Sequence, residues 1–274
     1  MLRMESENGW WLIRHPDHAR LAGAFAAAWG NDRFRRPEPR ERVLYGISAH
    51  DDGWAARDAH PTITRHGKPS AFSGELMGKY SAFEEIDLEE YLAVRDRGVR
   101  IIADKDPYAG LLISLHTCNL LTEHADRSTI SPDGLGLLDA FLNRQRSLQE
   151  ALFSALAADP TLTAGETSEQ TLLEHFRLLQ ACDNLSLLAY VSYSQPAHLL
   201  HALPLNDGST AEVKVMSIGP RHFRLSPWPF ADDELTFIFP ARHVEGKIFE
   251  SPDELEAAWL YAGDRVLSVT LRRD

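Results

Sequence analysis

Apolar positions recur every three to four residues along most of the chain up to about residue 194, and every second residue or in short runs after it. The first pattern predicts helices. One starts at His15-Pro16-Asp17, with Pro16 in the first turn and Asp17 at the positive dipole end, and closes at Gly30-Asn31. A second carries Val43, Ile47, His50 and Trp54 on one stripe and Leu44, Ile47 and Asp51 on its neighbour, so His50 and Asp51 are expected on a helix. Further helices are expected over 84–97, from Asp106-Pro107, over 136–158 and over 167–192. The charged, proline-bearing stretch 33–42 reads as a loop. A long irregular segment is expected from Asp58 to about Ser81.

The second pattern predicts strands over 212–218, 223–225, 235–239 and 266–271. Ser251-Pro252-Asp253-Glu254 is a capping-box start for one helix among them. Near the N-terminus, Trp10-Trp11-Leu12-Ile13 reads as a strand or an extended lead-in. The expected architecture is therefore mainly α, and α+β overall: a helical bundle over residues 1–195, with a small C-terminal antiparallel sheet and one helix over 196–274 packed on it. Trp228 and Phe230, between prolines, read as a packing plug before an interface.

Composition narrows the function without naming it. The chain has 274 residues, 44% hydrophobic and 25% charged, as in an ordinary globular protein. Its formal net charge of −12 argues against nucleic acid and anionic membrane as partners, since both are met by basic surfaces. A small phosphorylated substrate stays open, because a metal ion can supply local positive charge. Cys118 and Cys182 sit inside apolar helical patterns and read as core thiols. No membrane span and no signal-peptide core is legible, so the expected location is the cytoplasm. A homodimer stays open.

The chemistry lies where ionisable ligands interrupt apolar stripes. His18 shares the stripe of Leu21 and Phe25. His116 falls between Leu112 and Leu120, and Asp183 falls between Leu179 and Leu187. A carboxylate among apolar neighbours needs a cation or several donors. With His50 and Asp51 these make a mixed imidazole–carboxylate set, suited to one divalent ion (Fe, Mn, Mg, Ni or Zn), or two, with room for water. Asp51 and Asp183 are the expected catalytic carboxylates. Arg65 and Lys68, on the loop that follows, are expected to clamp substrate phosphate.

A His on one helix, His50-Asp51 on a second and a late Asp183 within Ala181-Cys182-Asp183-Asn184-Leu185-Ser186 resembles the HD-domain superfamily of metal-dependent phosphohydrolases over about residues 10–194. The resemblance implies a helical metal-binding domain that hydrolyses a nucleotide or small phosphoester, with a metal-activated water as nucleophile. Many such enzymes carry Lys or Arg after His-Asp-x-Gly, where this chain has Trp54. Members that bind two metals add histidines, a place His116 fills better than His60, His66 or His124. Two alternatives share the pattern: an HD-type di-iron oxygenase, which needs His116, and a metal-stabilised domain that binds a ligand without turnover. His18-Ala19 with Leu21-Ala22-Gly23, Trp29-Gly30, His50 to Trp54, Ser114-Leu115-His116 and Pro227-Trp228-Pro229-Phe230 also resemble a bacterial family of unknown function, over nearly the whole chain.

Overall fold

Helices form near where the spacing places them, although one starts at Arg40, inside the expected 33–42 loop, and another runs to Ala103, past the expected end at 97; their ends are set by local chemistry. In the computed structural model, which describes residues 1–73, 87–125 and 127–274 and omits the side chains of 72, 73 and 124, α1 runs His15–Ala28 with Pro16 in its first turn. Helix α2 is Arg40–Ala49, a 3₁₀ turn covers Asp52–Trp54, and α3 is Ala55–Ala59. Helix α4 is Leu88–Ala103, capped by Asp87, which accepts from the Glu90 N–H at 3.0 Å. The expected start of this helix at 84–86 lies outside the described residues, as does the stretch 74–81 of the expected irregular segment. Helix α5 is Pro107–Asn119, with Asp106 capping the N–H groups of Tyr108 and Ala109, and a π turn follows at Leu120–His124. Helices α6 (Pro132–Ala157) and α7 (Glu169–Tyr190) start at the capping serines Ser131 and Ser168. Helix α8 is Pro252–Ala262, capped by Ser251 as its capping-box start predicts.

The sequence places His50 and Asp51 inside a helix, and the structure corrects this. Helix α2 stops at Ala49, His50 is its cap residue and Asp51 leaves helical geometry at φ −118° and ψ 15°. The apolar stripe is real, with Val43, Ile47 and Trp54 fully buried, but Trp54 reaches the core through the 3₁₀ turn.

The expected mainly α bundle with a small, C-terminal, antiparallel sheet is also corrected: the fold is α+β. With β1 Leu2–Glu5, β2 Gly9–Ile13, β3 Phe72–Ser73, β4 Ala197–His198, β5 Leu203–Pro204, β6 Thr210–Ala211, β7 Lys214–Gly219, β8 His222–Ser226, β9 Glu234–Glu245 and β10 Arg265–Arg273, the main sheet has the order β3-β1-β2-β9-β10-β8-β7-β4. It is mixed, because β10 pairs β8 and β1 pairs β3 in parallel. Strand β9 is the cause. It is twelve residues long; its first part pairs β10 in full register, and its last four residues pair β2, Gly9 opposite Glu245. The N-terminal hairpin thereby joins the C-terminal strands. A Cβ at Gly9 would lie 2.0 Å from the Val244 carbonyl oxygen, so the pairing needs glycine there. Strands β5 and β6 form a separate pair.

The helices bury a core that includes Phe25, Trp29, Phe141, Leu179 and Leu185, and Cys182 lies within it. Trp228 and Phe230 are also buried, with the Phe230 ring 5.6 Å from Trp29 and the Asn31 side-chain amide donating to both their carbonyls. They are a plug. Among the described residues no helix is long and apolar enough to cross a membrane.

One buried histidine makes stability depend on pH. His175 Nδ1 lies 2.8 Å from the Tyr108 hydroxyl, which donates to the Glu166 carbonyl. Burial, reinforced by nearby Arg35, lowers His175 to about 4. A folded value below the unfolded one means the unfolded chain takes up the proton first. This contribution is therefore present above pH 6.5 and is lost as pH falls toward 4, at up to about 1.4 kcal/mol per pH unit. Urea unfolding at pH 7.5 and 5.0 measures it: His175→Gln is expected to lose about 1–2 kcal/mol less than the wild type between the two, and an equal loss contradicts the assignment.

Candidate metal centre

Five ionisable side chains from four places in the chain meet inside the helical layer. They are His18 on α1, His50 and Asp51 at the end of α2, His116 on α5 and Asp183 on α7, all buried. Helix α1 packs on α2 and α7, and α5 packs on α2 and α7, so the four segments converge on one point. The donor atoms form two groups that share His50: His18, His50 and Asp51, and His50, His116 and Asp183.

The distances bring possible ligand atoms within reach of one another. His18 Nε2 lies 3.0 Å from Asp51 Oδ2, and His50 Nε2 lies 3.4 Å from Asp183 Oδ1 and 3.9 Å from Asp51 Oδ2. His116 Nε2 lies 3.7 Å from Asp183 Oδ2. Neighbouring ligands on an ion with bonds of about 2.1 Å stand about 3.0 Å apart at right angles and about 3.4 Å apart in a tetrahedron; the 3.0 and 3.4 Å separations fit these and the 3.7 and 3.9 Å separations are wider.

The tautomers point the same way. His50 Nδ1 donates to the Ile47 carbonyl at 2.7 Å, which leaves the lone pair on Nε2. The Ser186 hydroxyl donates to the Asp183 carbonyl at 2.7 Å and accepts from His18 Nδ1 at 2.8 Å, so His18 also presents Nε2. Both lone pairs face carboxylate oxygens. Electron pair against electron pair is repulsive in a dry site unless a cation lies between. A proton on His50 is one such cation. Burial opposes it, but Asp51 and Asp183 outweigh burial and raise His50 to about 9. A divalent ion is the other. His50 Nε2 and His116 Nδ1 make no hydrogen bond to the described residues although both are fully enclosed. Burial drops His116 to about 3, so it is a neutral imidazole at neutral pH.

Arg95 on α4 completes the centre. Its guanidinium donates to Asp51 Oδ1, leaving Oδ2 to the histidines, and it stands 5.3 Å from the ring centres of both Trp54 and Tyr91. Burial works against the Asp51 charge, yet Arg95 and His50 hold its carboxyl well below the usual range. Asp183 is lowered to about 2 against the pull of burial, chiefly by His50. The approach of α4 rests on two glycines. A Cβ on Gly53 would lie 2.8 Å from the Val94 carbonyl oxygen and 2.9 Å from Gly98 Cα.

Beside the centre, Asp58 accepts from the Met1 amino group at 2.8 Å and the His15 backbone N–H at 2.6 Å. The His15 ring stacks on Trp54 at 4.7 Å. Burial lowers His15 to about 4 although Asp58 opposes this.

All five residues expected as metal ligands meet here. The two expected phosphate clamps are placed elsewhere: Arg65 is exposed and donates to His66, and Lys68 stands over the Trp10 ring at 5.7 Å. None of their described hydrogen bonds or ion pairs reaches the cluster. Arg95, Ser186 and the His15–Asp58 pair are not anticipated from the sequence. The signal for Arg95 is there: it lies four residues after Tyr91 on the buried side of α4, an ionisable group on an apolar stripe like the others.

No curated protein and no solved structure matches the chain. A family's sequence model does match it, over residues 1–246, and by that match the chain belongs to the family described as "Protein of unknown function (DUF3891)".

Proposed function

We propose that the protein is a metal-dependent phosphohydrolase of the HD type, acting on a nucleotide or another small phosphoester. One observation carries the reading: imidazole lone pairs fixed by Nδ1 hydrogen bonds face two buried carboxylates at ligand-to-ligand distances. The donor set of three imidazoles and two carboxylates suits a first-row divalent ion. An ion held there supplies Lewis acidity toward a water and a phosphoryl oxygen.

The chain's own residues do the rest. His18, His50, Asp51, His116 and Asp183 hold the ion, and Ser186 and the Ile47 carbonyl keep two of the imidazoles in the ligating tautomer. Asp51 has one oxygen committed to Arg95. Asp183 is the more open carboxylate, its side chain 12% exposed against 6% for Asp51. It orients the attacking water.

The test is turnover of p-nitrophenyl phosphate, bis(p-nitrophenyl) phosphate and a nucleotide panel with Mn, Mg, Fe, Ni or Zn added singly. Metal-dependent release of phosphate or p-nitrophenol, lost with EDTA, is expected. Bound metal without turnover of any of them supports the ligand-binding alternative instead. The two groups sharing His50 favour a second reading, a di-iron oxygenase. It requires two irons per chain and activity only under dioxygen.

A further inference from the structure

We infer that Arg95 sets the charge of the loaded centre and so selects an anionic ligand, an inference that rests on the metal reading above. The count is short. Asp51 and Asp183 contribute two negative charges, and the three histidines are neutral when they ligate. Arg95, in contact with Asp51, contributes one positive charge. With a divalent ion the centre carries a net charge of about +1; without the guanidinium it would be about zero.

Among the described residues, the neighbouring carboxylates are already paired. Asp52 is paired with Arg20, Asp58 with the Met1 amino group, and Asp96 with Arg100. Arg95 is itself only 5% exposed, so little water screens it. Its place is built from several sides. The faces of Trp54 and Tyr91 receive the guanidinium, and the Gly53–Gly98 contact lets α4 come close enough to deliver it. Arg95 therefore acts through the field it imposes and through Asp51, as a positioning residue. The ligand class that follows is a compact oxyanion, a phosphoryl group above all, in preference to a neutral ligand of the same metal.

The test compares Mn-loaded wild type with Arg95→Gln and Arg95→Lys. Affinity for manganese is measured by electron paramagnetic resonance, and affinity for inorganic phosphate by its ³¹P relaxation. Arg95→Gln still offers Asp51 a donor but lacks the charge. It is expected to bind manganese at least as tightly as the wild type and phosphate about tenfold more weakly or worse. Arg95→Lys keeps phosphate affinity within about threefold of the wild type. Equal phosphate affinity in Arg95→Gln and wild type, or manganese loss without phosphate loss, overturns the inference. A measurement without variants stands beside it: loaded wild type is expected to prefer phosphate to imidazole, a neutral ligand, and the reverse order overturns the inference. A wild type that retains no manganese overturns the metal reading and this inference with it. A manganese-loaded wild type that fails the phosphate comparisons overturns this inference alone.

Discussion

His50→Ala is expected to empty the protein of divalent metal, and Asp183→Ala to do the same. His50 belongs to both groups of donors, so its removal breaks each of them. Asp183 faces His50 at 3.4 Å and His116 at 3.7 Å, and its loss leaves His116 without an anionic co-ligand and His50 with Asp51 alone. Elemental analysis after desalting is expected to find less than about a tenth of the wild-type metal per chain, because loss of one ligand or its support lowers affinity by about ten- to a hundredfold and loss of a shared ligand lowers it further. Full occupancy in either variant contradicts the coordination described. The wild type adds a pH signature. A bound metal would displace the proton of His50, held at about 9 by Asp51 and Asp183 against burial. Affinity therefore weakens as pH falls below that value, by about tenfold per unit, with release of about one proton per ion bound near pH 8.

Asp51→Asn is expected to destabilise the metal-free protein by about 3–5 kcal/mol, the effect of removing one partner from a buried ion pair. Asp51 and Arg95 are both buried and in direct contact, and His18 Nε2 shares the same carboxylate at 3.0 Å. Asparagine keeps the shape and removes the charge, so the change reports electrostatics and not a cavity. For a chain of this size the thermal midpoint falls by about 10 °C or more. The pairing of Asp51→Leu with Arg95→Met is expected to recover much of the loss, since two apolar groups in place of a buried pair avoid its desolvation. Measured by urea unfolding in EDTA, a loss under about 1 kcal/mol for Asp51→Asn denies the pair the part given to it here.

The helices were legible because each buries one stripe and carries its own start signal: Pro16 after His15, Asp106 before Pro107, Ser251 before Pro252. The five residues of the cluster were legible for the same reason, as polar residues on apolar stripes. Long-range pairing was not. Nothing local in Gly9–Ile13 says that it will pair with a strand some 230 residues later, and the alternation of β9 is too weak to show its twelve-residue length. The 3₁₀ turn after Ala49 was hidden because Trp54 keeps helical spacing from Ile47 and His50 while reaching the core by another route. Arg95 was hidden because an arginine on a charged amphipathic helix is most often solvated; only the Gly53–Gly98 contact, a tertiary fact, turns it inward.

Counting divalent metal in purified wild-type protein, by mass spectrometry of the digested sample against its amino-acid content, tests the central claim most directly. The geometry of His18, His50, Asp51, His116 and Asp183 predicts one ion per chain, or two if both groups fill, removed by chelation and restored by added Mn, Fe, Ni or Zn. Protein that purifies without metal, takes up none of these ions at pH 8 and shows the same thermal midpoint with and without them contradicts it.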